Sequence, residues 1–168
     1  MPGSRIQGKE EIKEWFSKQK GIRTIVDVGA GSGTYPKLLG PTYIYKAIEI
    51  FEPYIKMWGL KDYYSEIIMG DVCDVKWPTG DCIIFGDVLE HIQKDKAKKV
   101  LQKALDTFTY VIVSIPVSKY ENEIQYGMVH YDNQYEAHIS GWTFLEMKNF
   151  YPWSIATLFA KEVATFIK

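Results

Sequence analysis

The segment TIVDVGAGSGTYPKLL, Thr24 to Leu39, limits the fold more than any other: an apolar run closes on Asp27, glycines follow at 29, 31 and 33, and a short helical pattern begins. A buried strand that empties into a glycine-rich turn and then a helix is the opening unit of a parallel α/β sheet. Glycine reaches positive φ and lets the backbone approach a ligand with no Cβ in the way. The turn is therefore a candidate ligand cradle, and the rest of the chain must say for what.

Strand-like and helix-like patterns alternate along the chain. KEEIKEWFSKQK, residues 9–20, spaces Ile12, Trp15 and Phe16 at i, i+3, i+4, which predicts an amphipathic helix. Strands are expected in RTIVDV (23–28), TYIYKAIEI (42–50), SEIIMGD (65–71), DCIIFGD (81–87) and YVIVSIP (110–116), with short helical segments at YPKLL and PYIKMWG. The clearest helical pattern runs through Ala97, Val100, Leu101, Ala104, Leu105 and Phe108, and its lysines, Lys94, Lys98, Lys99 and Lys103, read as a solvated face. WTFLEMKNF predicts a further helix, and WSIATLFA and EVATFIK are close enough to pair as a hairpin. Apolar strands separated by helices imply a parallel sheet covered on both faces, with at least one antiparallel strand from the terminal hairpin.

A chain of 168 residues can bury one substantial core and is short for two ordinary domains, so residues 1–168 are read as a single domain. A net charge of -1 supplies no global basic field for nucleic acid or anionic membrane. The N-terminus lacks a signal-peptide pattern and no run approaches a membrane span, so a cytoplasmic protein is expected. Cys73 and Cys82, nine positions apart, fit neither a CxxC motif nor a disulfide scaffold and are expected as reduced thiols.

A dinucleotide turn would read GxGxxG, with glycine at position 34 to admit a pyrophosphate. Here Thr34 stands there, which disfavours NAD and points to a ligand without pyrophosphate. Glu49 closes the second strand, where a carboxylate can accept both hydroxyls of a ribose. Asp71, in MGDV after the third strand, can accept from an adenine amino group while the Val72 amide reaches a ring nitrogen. Simpler readings remain open, with Asp27 capping the glycine turn and Glu49 a surface carboxylate.

With VDVGAGSG, AIEI, MGDV and CIIFGDVLEHI in these positions, the sequence resembles the class I S-adenosylmethionine-dependent methyltransferases, over roughly Arg23 to Pro116. The resemblance implies an α/β, doubly wound, mostly parallel seven-stranded sheet with an antiparallel C-terminal strand and helices on both faces. It also implies S-adenosyl-L-methionine as cofactor. Asp27, Gly29, Ala30, Gly31 and Gly33 would line its methionine part, Glu49 and Ile50 its ribose, Asp71 and Val72 its adenine, and Asp87 the amino acid moiety or the methyl group.

Methyl transfer from a sulfonium is an in-line displacement in which positioning does much of the work, and a base is needed only when the acceptor has a proton to lose. The candidates are Glu90 and His91 in DVLEHI and His130 and His138 in the late loop, with His91 preferred. Tyr35 is a candidate ring for the sulfonium, with core packing as the alternative. Were 87–91 helical, Asp87, Glu90 and His91 would share a face able to hold a divalent cation with a late-loop histidine. That pattern resembles the ExxEH metal site of small-RNA 2′-O-methyltransferases and some ubiquinone-pathway O-methyltransferases, with Asp87 in place of the first glutamate; the expectation adopted is a site without metal. The class I resemblance also implies that segment 114–147 builds the acceptor pocket, and its tyrosines and polar side chains suit a polar or aromatic small molecule. NPPY and DPPY are absent and neither cysteine follows a proline, so methylation of duplex-DNA bases is disfavoured. RNA or another nucleic acid as acceptor, and a non-catalytic cofactor-binding module, are the alternatives.

Overall fold

In the computed structural model, residues 7–120, 123–124, 132–159 and 162–168 are described. The strands are β1 (Thr24–Val28), β2 (Ile44–Glu49), β3 (Glu66–Met69), β4 (Cys82–Gly86), β5 (Tyr110–Pro116), β6 (Ile155–Phe159) and β7 (Val163–Ile167). They form one seven-stranded sheet in the order β3-β2-β1-β4-β5-β7-β6. The first five pair in parallel, and β7 lies antiparallel to both β5 and β6. The sheet is the one expected, and the hairpin enters it with its second strand against β5.

Successive side chains of a strand face opposite sides, so fully apolar strands need cover on both. On one face Val26, Val28, Ile83, Phe85, Val111 and Val113 pack with α4 (Lys94–Thr107) and α5 (Phe144–Phe150). On the other, Ile25, Ala47, Ile84 and Ile112 pack with α1 (Lys9–Lys18), α2 (Thr34–Leu39) and α3 (Pro53–Met57). The periodic residues of α4 are buried as expected. Its lysines are less idle than a solvated face implies: Lys94 and Lys98 pair with Glu146 of α5, and Lys103 lies over the Trp77 ring. Cys73 and Cys82 are free thiols, the second fully buried. No helix among the described residues is long and apolar enough to cross a membrane.

β1 and β4 are central neighbours, with Val28 level with Phe85, while β2 lies outside β1 and β5 outside β4. Consecutive connections thus depart to opposite sides at the ends of β1 and β4. A crevice opens there, where an open α/β sheet binds its ligand.

Candidate active site

That crevice is a cavity of about 620 Å³. Its wall includes Asp27, Gly29, Ala30, Gly31, Glu49, Ile50, Asp71, Val72, Asp87, Glu90, His91 and His138. Residues spread over more than a hundred positions thus meet at the strand ends. Gly33 stands outside the wall and instead turns the chain into α2, at φ 73°. Thr34 takes a place in the wall. His130 lies outside the described residues.

The glycine turn is shaped by backbone need. Gly29 has φ 67°, and a Cβ there would lie 2.8 Å from Cγ2 of Val88, so a side chain is excluded twice. The Gly31 amide donates to Oε2 of Glu49 at 3.0 Å, and the Phe51 amide donates to Oε1 at 2.9 Å. Two amides therefore fix the Glu49 carboxylate at the end of β2. Burial raises its pKa above the usual carboxylate range and those amides pull it back. Asp71 is held in the same manner, its Oδ1 accepting from the Cys73 amide at 2.8 Å.

Asp27 is buried near the end of β1, and its Oδ2 accepts from the Tyr64 hydroxyl at 2.5 Å. Burial pushes its pKa up to about 7, against the pull of the Tyr64 bond, while the nearby Glu49 raises it further and Lys9 lowers it. Lys9, from the first turn of α1, is 4% exposed and donates to the Tyr35 hydroxyl at 3.1 Å and to Oγ of Ser114 at 3.3 Å.

At the opposite end, residues 87–91 are not one α-helical face. Asp87 adopts φ 55°, its amide donating to the Ser114 carbonyl at 2.8 Å, and Leu89–His91 form a 3-10 turn before α4 begins at Lys94. Of the face considered for Asp87, Glu90 and His91 with a late-loop histidine, Asp87 drops out and the rest is present: Glu90, His91 and His138 offer ligand atoms that all lie within 4.8 Å of one another. Nε2 of His91 is 3.9 Å and Nε2 of His138 4.0 Å from Oε1 of Glu90, whose carboxylate is buried. Nδ1 of His91 lies 3.1 Å from the Ala137 carbonyl, a contact that requires Nδ1–H and leaves the Nε2 lone pair turned to the cluster. Burial lowers the His91 pKa, and the Ala137 carbonyl opposes that by holding its proton.

The late segment is stitched to this turn. The Ile139 and Ser140 amides both donate to the Glu90 carbonyl, at 2.9 and 3.0 Å, and the Ser140 hydroxyl donates to the Leu89 carbonyl at 3.1 Å. Upstream, Glu136 accepts from the Tyr54 hydroxyl of α3, and both residues line the cavity with Glu49. Lys9, Tyr54, Tyr64 and Glu136 were not singled out in the sequence as site residues. Of these only Glu136 stood in a segment marked as functional, and the others became visible through contacts between distant elements.

Among known proteins, no family model and no curated protein matches the chain. Solved structures do. DhpI in the DhpI-SAM-HEP complex superposes with a TM-score of 0.71 at 13% identity, over 97% of this chain and 88% of that one. An S-adenosylmethionine-dependent methyltransferase from Clostridium acetobutylicum gives 0.70 at 11%, over 94% and 87%. The fold is that of the class I methyltransferases. A 1,6-didemethyltoxoflavin-N1-methyltransferase from Burkholderia thailandensis, crystallised with its acceptor and S-adenosylhomocysteine, gives 0.66 at 12%, over 96% and 76%. In a class I methyltransferase fold the cavity just described is the crevice at the topological switch.

Proposed function

We propose that this protein is an S-adenosylmethionine-dependent methyltransferase acting on an oxygen or nitrogen of a small acceptor. The observation that carries the reading is the Glu49 carboxylate, clamped by the Gly31 and Phe51 amides between the glycine turn and Asp71. A carboxylate so fixed suits a vicinal diol, and a glycine turn without a third glycine at position 34 suits a ligand without pyrophosphate. The cavity volume falls within the range of small-ligand sites.

In this reading Glu49 and Ile50 receive ribose, Asp71 and Val72 the adenine edge, and Asp27, Gly29, Ala30 and Gly31 the amino acid part, with Gly33 shaping the turn beneath. Asp87 stands between that part and the acceptor end. When bound, the donor supplies a methyl group on a positively charged sulfur that leaves as a neutral thioether. His91, neutral near pH 7 and presenting Nε2, takes the acceptor's proton, with Glu90 and His138 beside it to stabilise the resulting charge. His130 stays a candidate base from the sequence. A wall rich in carboxylates supports a neutral or cationic acceptor in the cytoplasm over RNA, whose phosphates it would repel.

Calorimetry with S-adenosylmethionine, S-adenosylhomocysteine and NAD tests the donor. Both sulfur compounds are expected to bind and NAD is not; tight NAD binding without S-adenosylhomocysteine binding overturns the reading. A second reading, favoured by the convergence of Glu90, His91 and His138, puts a divalent cation among them, where one carboxylate oxygen and two imidazole nitrogens suit a transition ion or zinc. Bound there, the ion would take over the orientation of an acceptor oxygen. Activity then falls on chelation with EDTA and returns with added metal, whereas undiminished activity after chelation leaves His91 as a plain base.

A further inference from the structure

Lys9 is the buried charge that the proposed chemistry does not use. It opens α1 three positions before Ile12 and seven before Phe16, on the buried stripe of the helix, and its charged side chain enters the protein there. The ammonium donates to Tyr35 and Ser114 and lies 5.0 Å from the centre of the Tyr35 ring, whose residue forms part of the cavity wall. Asp87, Asp27 and Glu90 act on it electrostatically, and all three line the cavity. A buried cation beneath a carboxylate-lined pocket is screened little by solvent and acts on any charge placed in that pocket.

We propose that Lys9 is a specificity-determining residue of the donor site: its ammonium offsets the wall carboxylates and so limits how strongly the pocket prefers a charged sulfonium to a neutral thioether. The inference rests on the methyl-donor reading above. S-adenosylmethionine and S-adenosylhomocysteine share their adenosine, ammonium and carboxylate and differ by a methyl group and one positive charge. The ratio of their dissociation constants therefore isolates the field at the sulfur. With Lys9 in place the donor is held less tightly than the carboxylates alone would hold it, and the product is correspondingly harder to displace. Burial lowers the Lys9 pKa, and Asp87, Asp27 and Glu90 act against that by raising it.

Calorimetry compares wild type with Lys9→Met, Lys9→Gln and Lys9→Arg at about pH 7.5, below the ordinary range of an α-amino group, so that both ligands carry their ammonium. Removing the cation is expected to shift the ratio toward S-adenosylmethionine by roughly three- to thirty-fold, while Lys9→Arg stays within about twofold of wild type. Lys9→Gln retains a donor for Tyr35 and Ser114 should Lys9→Met fail to fold. Equal weakening of both ligands, with an unchanged ratio, reduces Lys9 to a packing residue and overturns the inference. Failure of wild type to bind either sulfur compound is a different result, and it overturns the donor reading itself.

Discussion

Asp27 combines a buried carboxyl, a 2.5 Å bond from Tyr64 and a pKa pushed up to about 7. Because the folded value lies above the ordinary 3.8, the native state keeps a proton that the unfolded chain has lost. The resulting contribution to stability declines as pH rises from about 4 to about 7 and stays lost above that range. Asp27→Asn, which never ionises, is therefore expected to be more stable than wild type by about 2–4 kcal/mol at about pH 8, with the difference gone near pH 4. Urea denaturation at the two pH values measures it, and a variant less stable than wild type at the higher pH contradicts the sign. Asp27 itself was legible in the sequence, since a carboxylate closing an apolar run before glycines has a limited set of uses. Its partner was not, because Tyr64 lies 37 positions away and nothing local marks a tyrosine whose hydroxyl will meet that carboxylate. Lys9 was hidden by its residue type: the spacing to Ile12 and Phe16 places position 9 on the buried stripe of α1, but a lysine is rarely buried unless paired, and its partners Tyr35 and Ser114 are distant in the chain.

Elements were easier to read than their partnerships. Strands such as β4, apolar throughout, and helices such as α4, with apolar residues in one register, carry their cause in the local sequence. The 87–91 segment did not, because Asp87 at φ 55° breaks the helix that the i, i+3, i+4 spacing implied. Asp87 therefore falls outside the cluster that Glu90 and His91 form with the late-loop His138. α5 is a second case of an element fixed partly from outside: Oγ1 of Thr143 accepts from the Glu146 amide at 3.1 Å, and the Glu146 carboxylate meets Lys94 at 2.7 Å and Lys98 at 3.2 Å. Thr143→Ala leaves that amide without its cap, and a loss of about 1 kcal/mol is expected in thermal or urea unfolding. No change in stability would mean that the contacts with α4 suffice to hold the helix start.

At the scale of the whole molecule, the sheet order and the crevice follow from one topological fact, that the connections leaving β1 and β4 diverge. Ligand binding should then register in separated stretches at once. Saturation with S-adenosylhomocysteine is expected to slow amide hydrogen exchange at residues 27–31, 49–51, 70–73 and 132–139, while 144–150 in α5 stay unchanged. Protection confined to a single stretch would indicate a different site. Several contacts around the crevice are made by main-chain amides, those of Gly31, Phe51 and Cys73 among them, which every residue type except proline can supply. Such a scaffold leaves inheritance a loose grip on spelling. Layers can change their side chains while the amides stay where the strand ends put them, and a fold plainly alike in space at 11–15% identity can escape comparison letter by letter.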